Sequence, residues 1–194
     1  KGFEANLQVL SRLDAETGDG DHGLSMSKGF KAVADVVQQQ SFDSIGDMWK
    51  MAGKTLMREI GGTCGPLFSV IFLKGGGAAG KADKVDAQQL AQMWEAGAEG
   101  VRALGKVSEG EKTMFDALMP AVRALCSAAA HDEDEVTAVI QASKAAQTGA
   151  DATINMVAQK GRGRYQGAAS VGHKDAGATS VSIIFKALKN ALQA

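Results

Sequence analysis

The sequence predicts an all-α protein, folded as a single-domain barrel or bundle of about eight antiparallel amphipathic helices. Apolar residues recur at helical spacing along nearly the whole chain of 194 residues. The one continuous apolar run, Val70–Leu73, could be a buried strand, but Pro66 before it and the lack of a partner strand favour a helix. No long linker, composition break or repeat marks a second domain, so we expect residues 1–194 to form one domain.

Each helix follows from its own apolar pattern. Four helices carry a clear apolar face, because residues at i, i+3, i+4 and i+7 lie on one side of a helix. These faces are Ile45, Met48, Trp49, Ala52 and Leu56; Leu90, Met93, Trp94, Val101 and Leu104; Met114, Leu118, Val122 and Leu125; and Val181, Ile184, Phe185, Leu188 and Leu192. The remaining helices are expected, in chain order, at residues 1–13, 24–40, 66–80 and 134–159.

Charge and hydropathy exclude several classes of function. The 21 Lys and Arg residues balance 22 Asp and Glu residues, which gives a formal net charge of −1. Nucleic acid and acidic membrane surfaces require a basic face, so we expect neither as a partner. No apolar run approaches the ~20 residues of a membrane-spanning helix, and the N-terminus lacks the regions of a signal peptide, so a cytoplasmic protein is expected.

The cysteines and the first residues of the chain give two further expectations. Cys64 and Cys126 are far apart and belong to no C-x-x-C motif, so we expect two reduced thiols rather than a disulfide or a zinc site. The chain opens at Lys1 rather than at a methionine and follows a helical pattern by Leu7. We therefore expect that an N-terminal segment is missing.

Four glycine-containing polar segments interrupt the helical pattern. They are residues 14–25, 61–66, 105–114 and 160–177. In an antiparallel bundle, alternate connections lie at the same end. These segments follow the first, third, fifth and seventh helices, so we expect them to meet at one rim and form a binding site there.

The first segment predicts a metal site. Asp14, Asp19 and Asp21 are gathered by glycines that allow tight turns, and hard divalent cations such as Mg²⁺ prefer carboxylate oxygens. An EF-hand is excluded, because neither possible register supplies the bidentate glutamate that ends such a loop. An acidic turn that caps the helix beginning near Leu24 remains an alternative.

The second segment, Gly61–Pro66, precedes a helix and offers free backbone N–H groups and the Thr63 hydroxyl to phosphate oxygens. It is neither a Walker A loop, since the Lys-Ser/Thr pair is missing, nor a dinucleotide fingerprint, since no strand precedes it. A glycine-rich turn that lets two helices approach closely explains this segment equally well.

The last segment concentrates three cations in Lys160, Arg162 and Arg164. Arg162 is interpreted as a clamp on a phosphate or a ring, because a guanidinium can form two parallel hydrogen bonds. Solvated surface charge remains an alternative for Lys160 and Arg164. Asp175, further along, either caps the last helix or contacts a ligand.

Together these segments resemble the nucleotide-binding L subunit of bacterial dihydroxyacetone kinases. The resemblance covers essentially the whole chain in order, which makes it more specific than any single motif. The matching segments are Leu13–Asp14, Gly18–Gly23, Gly61–Leu67, Lys112–Met114 and Val171–Ser180.

The resemblance implies an up-and-down barrel of eight helices that holds ADP or ATP at one rim through two Mg²⁺ ions. Asp14, Asp19 and Asp21 match the metal ligands of that family. The implied nucleotide contacts are His22, Gly23, Leu24, Ser25, Thr63, Cys64, Gly105, Met114, Arg162, Lys174, Asp175 and Ala176. The chain departs from the usual family residues at Ser25, Cys64 and Ala176, so the resemblance does not assign individual hydrogen bonds at these three positions.

The implied activity is phosphoryl transfer to dihydroxyacetone that is held by a separate K subunit, so no catalytic base is assigned to this chain. The donor is either exchanging ATP or, as the likeness to the separate-subunit type favours, a bound ADP rephosphorylated by a phosphotransferase-system protein. Alternatives are an ATP-dependent kinase subunit for a related ketose such as erythrulose, and a non-catalytic regulatory subunit that binds nucleotide and docks on a transcription factor. A phosphatase that uses Asp19 and Asp21 would need a preceding strand, where a helix is expected.

Overall fold

The computed structural model describes residues 1–194 as nine α-helices and two 3₁₀ segments, with no strand. The helices are α1 (Gly2–Ala5), α2 (Leu7–Thr17), α3 (His22–Gln39), α4 (Ile45–Glu59), α5 (Cys64–Ala79), α6 (Ala87–Gly105), α7 (Phe115–Ala130), α8 (Glu135–Ala152) and α9 (Ala176–Leu192), and the 3₁₀ segments are Thr153–Asn155 and Arg162–Ser170. Only Asn6 separates α1 from α2, so the chain has eight principal helical units. The predicted all-α fold is confirmed. None of the helices combines the length and hydropathy needed to cross a membrane.

The helices pack in the order of the chain and close into a barrel. Each helix from α2 to α8 contacts the next one, and α9 returns to contact α1 and α2. The helices α3, α5, α7 and α9 begin at one rim, whereas α4, α6 and α8 begin at the other. Closure therefore places the start of α9 beside the end of α2.

A continuous apolar core fills the space between the helices. Its aromatic residues are in direct contact: the ring centroids of Trp94 and Phe185 are 4.3 Å apart, and those of Trp49 and Trp94 are 5.4 Å apart. Burying one such side chain fully stabilises a fold by about 1.5–3 kcal/mol or more. The core holds the helix ends, and hence the rim loops, in a fixed arrangement.

Glycines allow two helix pairs to approach backbone to backbone. A Cβ atom at Gly149 in α8 would lie 2.1 Å from the carbonyl oxygen of Asp116 in α7. A Cβ atom at Gly46 in α4 would lie 2.1 Å from the carbonyl oxygen of Gly80, just after α5. No side chain fits at these positions without moving a backbone, so both pairs are tightly fixed.

The first and second predicted loops are shorter than expected. The helix predicted over 1–13 continues to Thr17, which places Asp14 in its last turn rather than in a loop. That helix ends where Gly18 leaves the helical conformation at φ −144° and donates its N–H to the Asp14 carbonyl. The α5 helix starts at Cys64, so Pro66 occupies the third helical position and not the first, still within the turn where no N–H partner is needed.

The eighth helix is shorter than predicted. The pattern over 134–159 predicts one helix, but α8 ends at Ala152 and a 3₁₀ turn follows. The carbonyl of Thr153 accepts a hydrogen bond from the Lys112 ammonium at 2.7 Å, and the N–H of Met156 bonds to the same carbonyl. The residues that follow α8 are thus held by a contact from 41 residues away, which the local apolar periodicity does not indicate.

Candidate functional site

The loops at the shared rim are joined by side-chain contacts. His22 at the start of α3 contacts Cys64 at the start of α5, with Nδ1 and Sγ 3.6 Å apart. Arg162 forms an ion pair with Asp19, and the Lys112 ammonium donates to the carbonyl of His173. Four segments that are distant in sequence therefore lie together.

Three aspartates form a cluster at the centre of this rim. Asp14, Asp19 and Asp21 each offer a carboxylate oxygen, and these oxygens lie within 4.8 Å of one another. The turn between them requires glycine, because a Cβ atom at Gly18 would lie 2.6 Å from Asp14 Oδ1 and because Gly20 has φ +77°. Clustered carboxylate oxygens are the donor set that Mg²⁺ prefers, so the residues present fit the predicted metal.

Helix capping does not account for the acidic cluster. Asp21 is the N-cap residue of α3, yet its side chain accepts no capping hydrogen bond. The N–H of His22 instead donates to Oδ2 of Asp14, at 3.3 Å. The carboxylates of Asp19 and Asp21 thus remain exposed towards the rim.

Of the three predicted cations, only Arg162 faces the cluster. Its guanidinium pairs with Asp19, and this hydrogen bond holds the pKa of the Asp19 carboxyl below its usual value. Arg164 instead donates to the hydroxyl of Tyr165 at 2.6 Å and lies over that ring. Lys160 lies 3.8 Å from a carboxylate oxygen of Glu111. Arg162 thus contacts the aspartate cluster, whereas Lys160 and Arg164 contact other residues.

A buried histidine connects three helices below the cluster. His22 is 5% exposed, and its Nε2 is 2.8 Å from the hydroxyl of Ser180 in α9. Burial lowers the pKa of His22, although the charges of Asp14 and Asp21 act in the opposite direction. Burial also raises the pKa of the adjacent Cys64 thiol to about 12, so this cysteine is a thiol and not a thiolate. The neutral imidazole and the hydroxyl of Ser180 join α3 to α9.

Three helix N-termini at the site rim differ in capping from the three at the opposite rim, while the fourth, that of α9, is capped by Asp175. At the opposite rim, α4, α6 and α8 are each capped by a side chain, those of Ser44, Asp86 and Asp134. At the site rim, the N-cap residues of α3, α5 and α7 make no side-chain capping hydrogen bond. In α3 and α5 this leaves backbone N–H groups, such as those of Gly23, Leu24 and Cys64, available to an anion, whereas the first-turn N–H groups of α7 are bonded to Thr113 and Met114.

The predicted contacts near α3 and α5 differ in exposure. Leu24 is 63% exposed, Thr63 is exposed and Ser25 is half-buried. Gly23 is buried, and a Cβ atom there would lie 2.2 Å from the carbonyl oxygen of Leu7. Gly23 is therefore needed for the close approach of α3 to α2, independently of any contact between its N–H and a ligand.

The remaining predicted contacts lie near α7 and α9. Gly105 is the half-buried last residue of α6, and Met114 is the buried N-cap residue of α7. Ala176 begins α9 and is buried. The Lys174 ammonium binds Asp151 at 2.5 Å, so it is directed to the end of α8 and not to the aspartate cluster. This pairing was not foreseen.

Asp175 is the N-cap residue of α9. Its Oδ2 accepts the N–H of Ala178 at 2.6 Å, and its own N–H donates to the hydroxyl of Thr153 at 2.9 Å. Burial raises the pKa of this carboxyl to about 6. The capping role considered from the sequence is therefore present in the structure, and a ligand contact stays a prediction.

The sequence reasoning assigned no role to Ser180 or Lys112, although both lie in segments that resemble the family. Ser180 is a polar residue on the apolar side of α9, and Lys112 is a lysine directly before an apolar helix. Both are buried, at 0% and 3% exposure. A polar residue at a core position was the available signal in each case.

Comparisons with known proteins agree with the resemblance. A protein-family model described as the DAK2 domain matches residues 16–190. The ADP-binding subunit DhaL of the PEP-dependent dihydroxyacetone kinase of Escherichia coli (strain K12) is 38% identical over 186 residues, which cover 96% of this chain and 89% of that protein. The ADP-binding subunit DhaL of PEP-dependent dihydroxyacetone kinase 1 of Listeria innocua serovar 6a is 37% identical over 185 residues, or 95% of this chain and 87% of that protein.

A solved structure has the same fold. It is the crystal structure of the dihydroxyacetone kinase from C. freundii in complex with AMP-PNP and Mg²⁺, with a TM-score of 0.76 and 26% sequence identity. The match covers 98% of this chain and 32% of that chain.

Proposed function

The chain belongs to the DAK2 domain family, and on that premise we propose that residues 1–194 form the nucleotide-binding subunit of a dihydroxyacetone kinase, a phosphotransferase. The subunit binds ADP or ATP and transfers a phosphoryl group to dihydroxyacetone on a separate K subunit. The observation that carries this proposal is the cluster of Asp14, Asp19 and Asp21 at a rim where the first turns of α3 and α5 keep free backbone N–H groups.

The aspartate cluster is the metal site of the proposal. Asp14, Asp19 and Asp21 hold Mg²⁺, with two ions assigned on the family resemblance. Bound Mg²⁺ would offset the negative charge of the nucleotide phosphates. Asp14 has a second task, because its carboxylate also accepts the N–H of His22 and so fixes the start of α3 against the end of α2.

Backbone N–H groups and one guanidinium bind the phosphates in this proposal. The first turns of α3 and α5 have free backbone N–H groups at Gly23, Leu24 and Cys64, and the side chains of Ser25 and the exposed Thr63 add hydroxyls. Arg162 already lies at the aspartate cluster, where its planar group can bind a phosphate through two hydrogen bonds.

The remaining contacts border the rest of the nucleotide. The buried Met114 and the half-buried Gly105 supply apolar surface, while Asp175 and Ala176 supply the start of α9. Lys174 reaches the nucleotide only if it leaves Asp151. These residues orient the nucleotide and exclude water, and any base that acts on the acceptor belongs to the K subunit.

The donor in this proposal is a phosphotransferase-system protein that rephosphorylates bound ADP. The PEP dependence in the names of the two relatives supports this choice over exchanging ATP. A carrier that keeps its nucleotide through many cycles must bind it tightly. We therefore expect the purified protein to retain ADP through dialysis.

The test is a direct assay of bound nucleotide and of phosphoryl transfer. The purified protein is dialysed and denatured, and the released nucleotide is identified by chromatography. The protein is then mixed with a K subunit and dihydroxyacetone, with either ATP or a phosphorylated phosphotransferase-system protein as the donor. We expect retained ADP and transfer from the protein donor.

Three outcomes would change the proposal. Transfer from ATP alone would make the chain an ATP-dependent subunit. Nucleotide binding without transfer from either donor would make it a regulatory subunit. Absence of any Mg²⁺-dependent nucleotide binding would overturn the proposal.

A further inference from the structure

Lys112 is a buried lysine whose ammonium group is fully used by the backbone. The side chain is 3% exposed. Nζ donates to three carbonyl oxygens, those of Thr153 at 2.7 Å, Met156 at 3.2 Å and His173 at 2.5 Å. An ammonium has three N–H donors, so none remains for another ligand.

The backbone around Lys112 is held in an unusual conformation. Lys112 has φ +59°, which is uncommon for a residue with a side chain. The buried carboxylate of Asp116 fixes this turn by accepting the N–H groups of Gly110 at 2.5 Å and Thr113 at 2.7 Å. The turn thereby directs the lysine side chain into the protein, where no carboxylate is close enough to form an ion pair with it.

The three carbonyls belong to the segment that carries the C-terminal half of the proposed nucleotide site. Thr153 directly follows the last residue of α8, and its hydroxyl also accepts the N–H of Asp175. Met156 begins the stretch that leads to Arg162, and His173 lies three residues before Ala176, the first residue of α9. One ammonium group therefore fixes both ends of the long connection between α8 and α9.

We propose that Lys112 is a positioning residue for nucleotide binding, which places Arg162 and the start of α9 against the aspartate cluster without touching the nucleotide. This inference rests on the proposed function. A lysine beside a phosphate site is usually interpreted as a phosphate ligand, but here its donors are already occupied. Its contribution is the shape of the connection between α8 and α9.

The proposal separates nucleotide binding from metal binding. The aspartate cluster is shaped by α2, by Gly18 and Gly20 and by the start of α3, none of which bonds to Lys112. Loss of the ammonium group should therefore weaken ADP binding far more than metal binding. A general loss of fold would weaken both equally.

The test compares three variants of the full chain. Lys112→Met keeps the length and apolar stem of the side chain but removes all three N–H donors. Lys112→Gln keeps two N–H donors on its side-chain amide. Lys106→Met is the matched control, because Lys106 lies in the same loop with φ +49° but is exposed and has no ion-pair partner. ADP affinity at saturating Mg²⁺ is measured by calorimetry. The affinity for Mn²⁺ in the absence of nucleotide is measured by electron paramagnetic resonance.

We expect Lys112→Met to weaken ADP binding roughly tenfold or more while Mn²⁺ binding stays close to the wild-type value. The ADP affinity of Lys112→Gln should lie between those of the wild type and Lys112→Met, and the ADP affinity of Lys106→Met should equal that of the wild type. Unchanged ADP affinity in folded Lys112→Met, or equal loss of ADP and Mn²⁺ binding, would overturn the inference. If Lys112→Met does not fold, wild-type ADP affinity in Lys112→Gln would also overturn the inference. Failure of the wild type to bind ADP would instead overturn the proposed function.

Discussion

The hydrogen bond between His22 and Ser180 offers a quantitative test of how the rim is held together. The Ser180 hydroxyl is fully buried and lies 2.8 Å from Nε2 of an imidazole that is itself buried. Ser180→Ala removes one atom, so it leaves almost no cavity. It does leave the imidazole nitrogen without its partner, in a place that water does not reach. An unpaired buried polar group costs about 1–3 kcal/mol, and we expect Ser180→Ala to lower the free energy of unfolding by that amount.

The same helix supplies a matched control. Ser182 is also buried in α9, and its hydroxyl donates to the carbonyl of Thr179 at 2.7 Å. That carbonyl is already part of the helix, so Ser182→Ala leaves no polar group unpaired and should change stability by about 0.5 kcal/mol or less.

Equilibrium urea unfolding, followed by circular dichroism, measures both variants. The slope of the unfolding free energy against urea concentration should be unchanged, because neither substitution alters the surface exposed on unfolding. If Ser180→Ala were no more destabilising than Ser182→Ala, the hydrogen bond to His22 would not contribute to the fold and the reasoning would be refuted.

Three further predictions concern the rim. Arg162→Lys should weaken binding of ADP with Mg²⁺ roughly 10- to 100-fold by calorimetry, because an ammonium cannot reproduce the planar guanidinium, whereas Arg164→Lys, whose parent side chain contacts Tyr165, should bind like the wild type. ADP together with Mg²⁺ should raise the melting temperature more than either alone, and a chelator should reverse the gain; identical melting curves would count against a ligand site. The pKa of Asp175 is about 6 in the folded chain against 3.8 for a free carboxyl, so its contribution to stability is complete below pH 3.8 and is lost as the pH rises through 6. Asp175→Asn keeps the cap, so its stability relative to the wild type should increase between pH 4 and pH 7, by up to about 3 kcal/mol in urea unfolding; a constant difference would contradict this assignment.

The helices were predictable because their signal is local. The apolar face from Ile45 to Leu56 repeats within a few turns, and α4 spans it as expected. The convergence of the loops was also predictable, since alternate connections of an antiparallel bundle share an end.

The details that were missed depend on contacts between distant parts of the chain. The turn that follows α8 is held by Lys112, 41 residues before Thr153. The pairing of Lys174 with Asp151 was not expected, because no local pattern indicates it, while its predicted contact with the nucleotide stays a prediction. The sequence did favour Arg162 over Arg164 as the clamp, but the direction of each side chain depends on where Asp19 and Tyr165 lie in the folded structure.

The central claim is that the aspartate cluster holds the metal through which nucleotide binds. The most direct measurement is calorimetry of ADP binding in the presence and absence of Mg²⁺, on Asp19→Ala and on Glu16→Ala as the control. Glu16 belongs to the same acidic segment but pairs with His173, at 3.6 Å, and lies outside the cluster. We predict that Asp19→Ala abolishes Mg²⁺-dependent ADP binding with its helical circular dichroism intact, while Glu16→Ala binds as the wild type does. Unchanged ADP affinity in Asp19→Ala would contradict the claim.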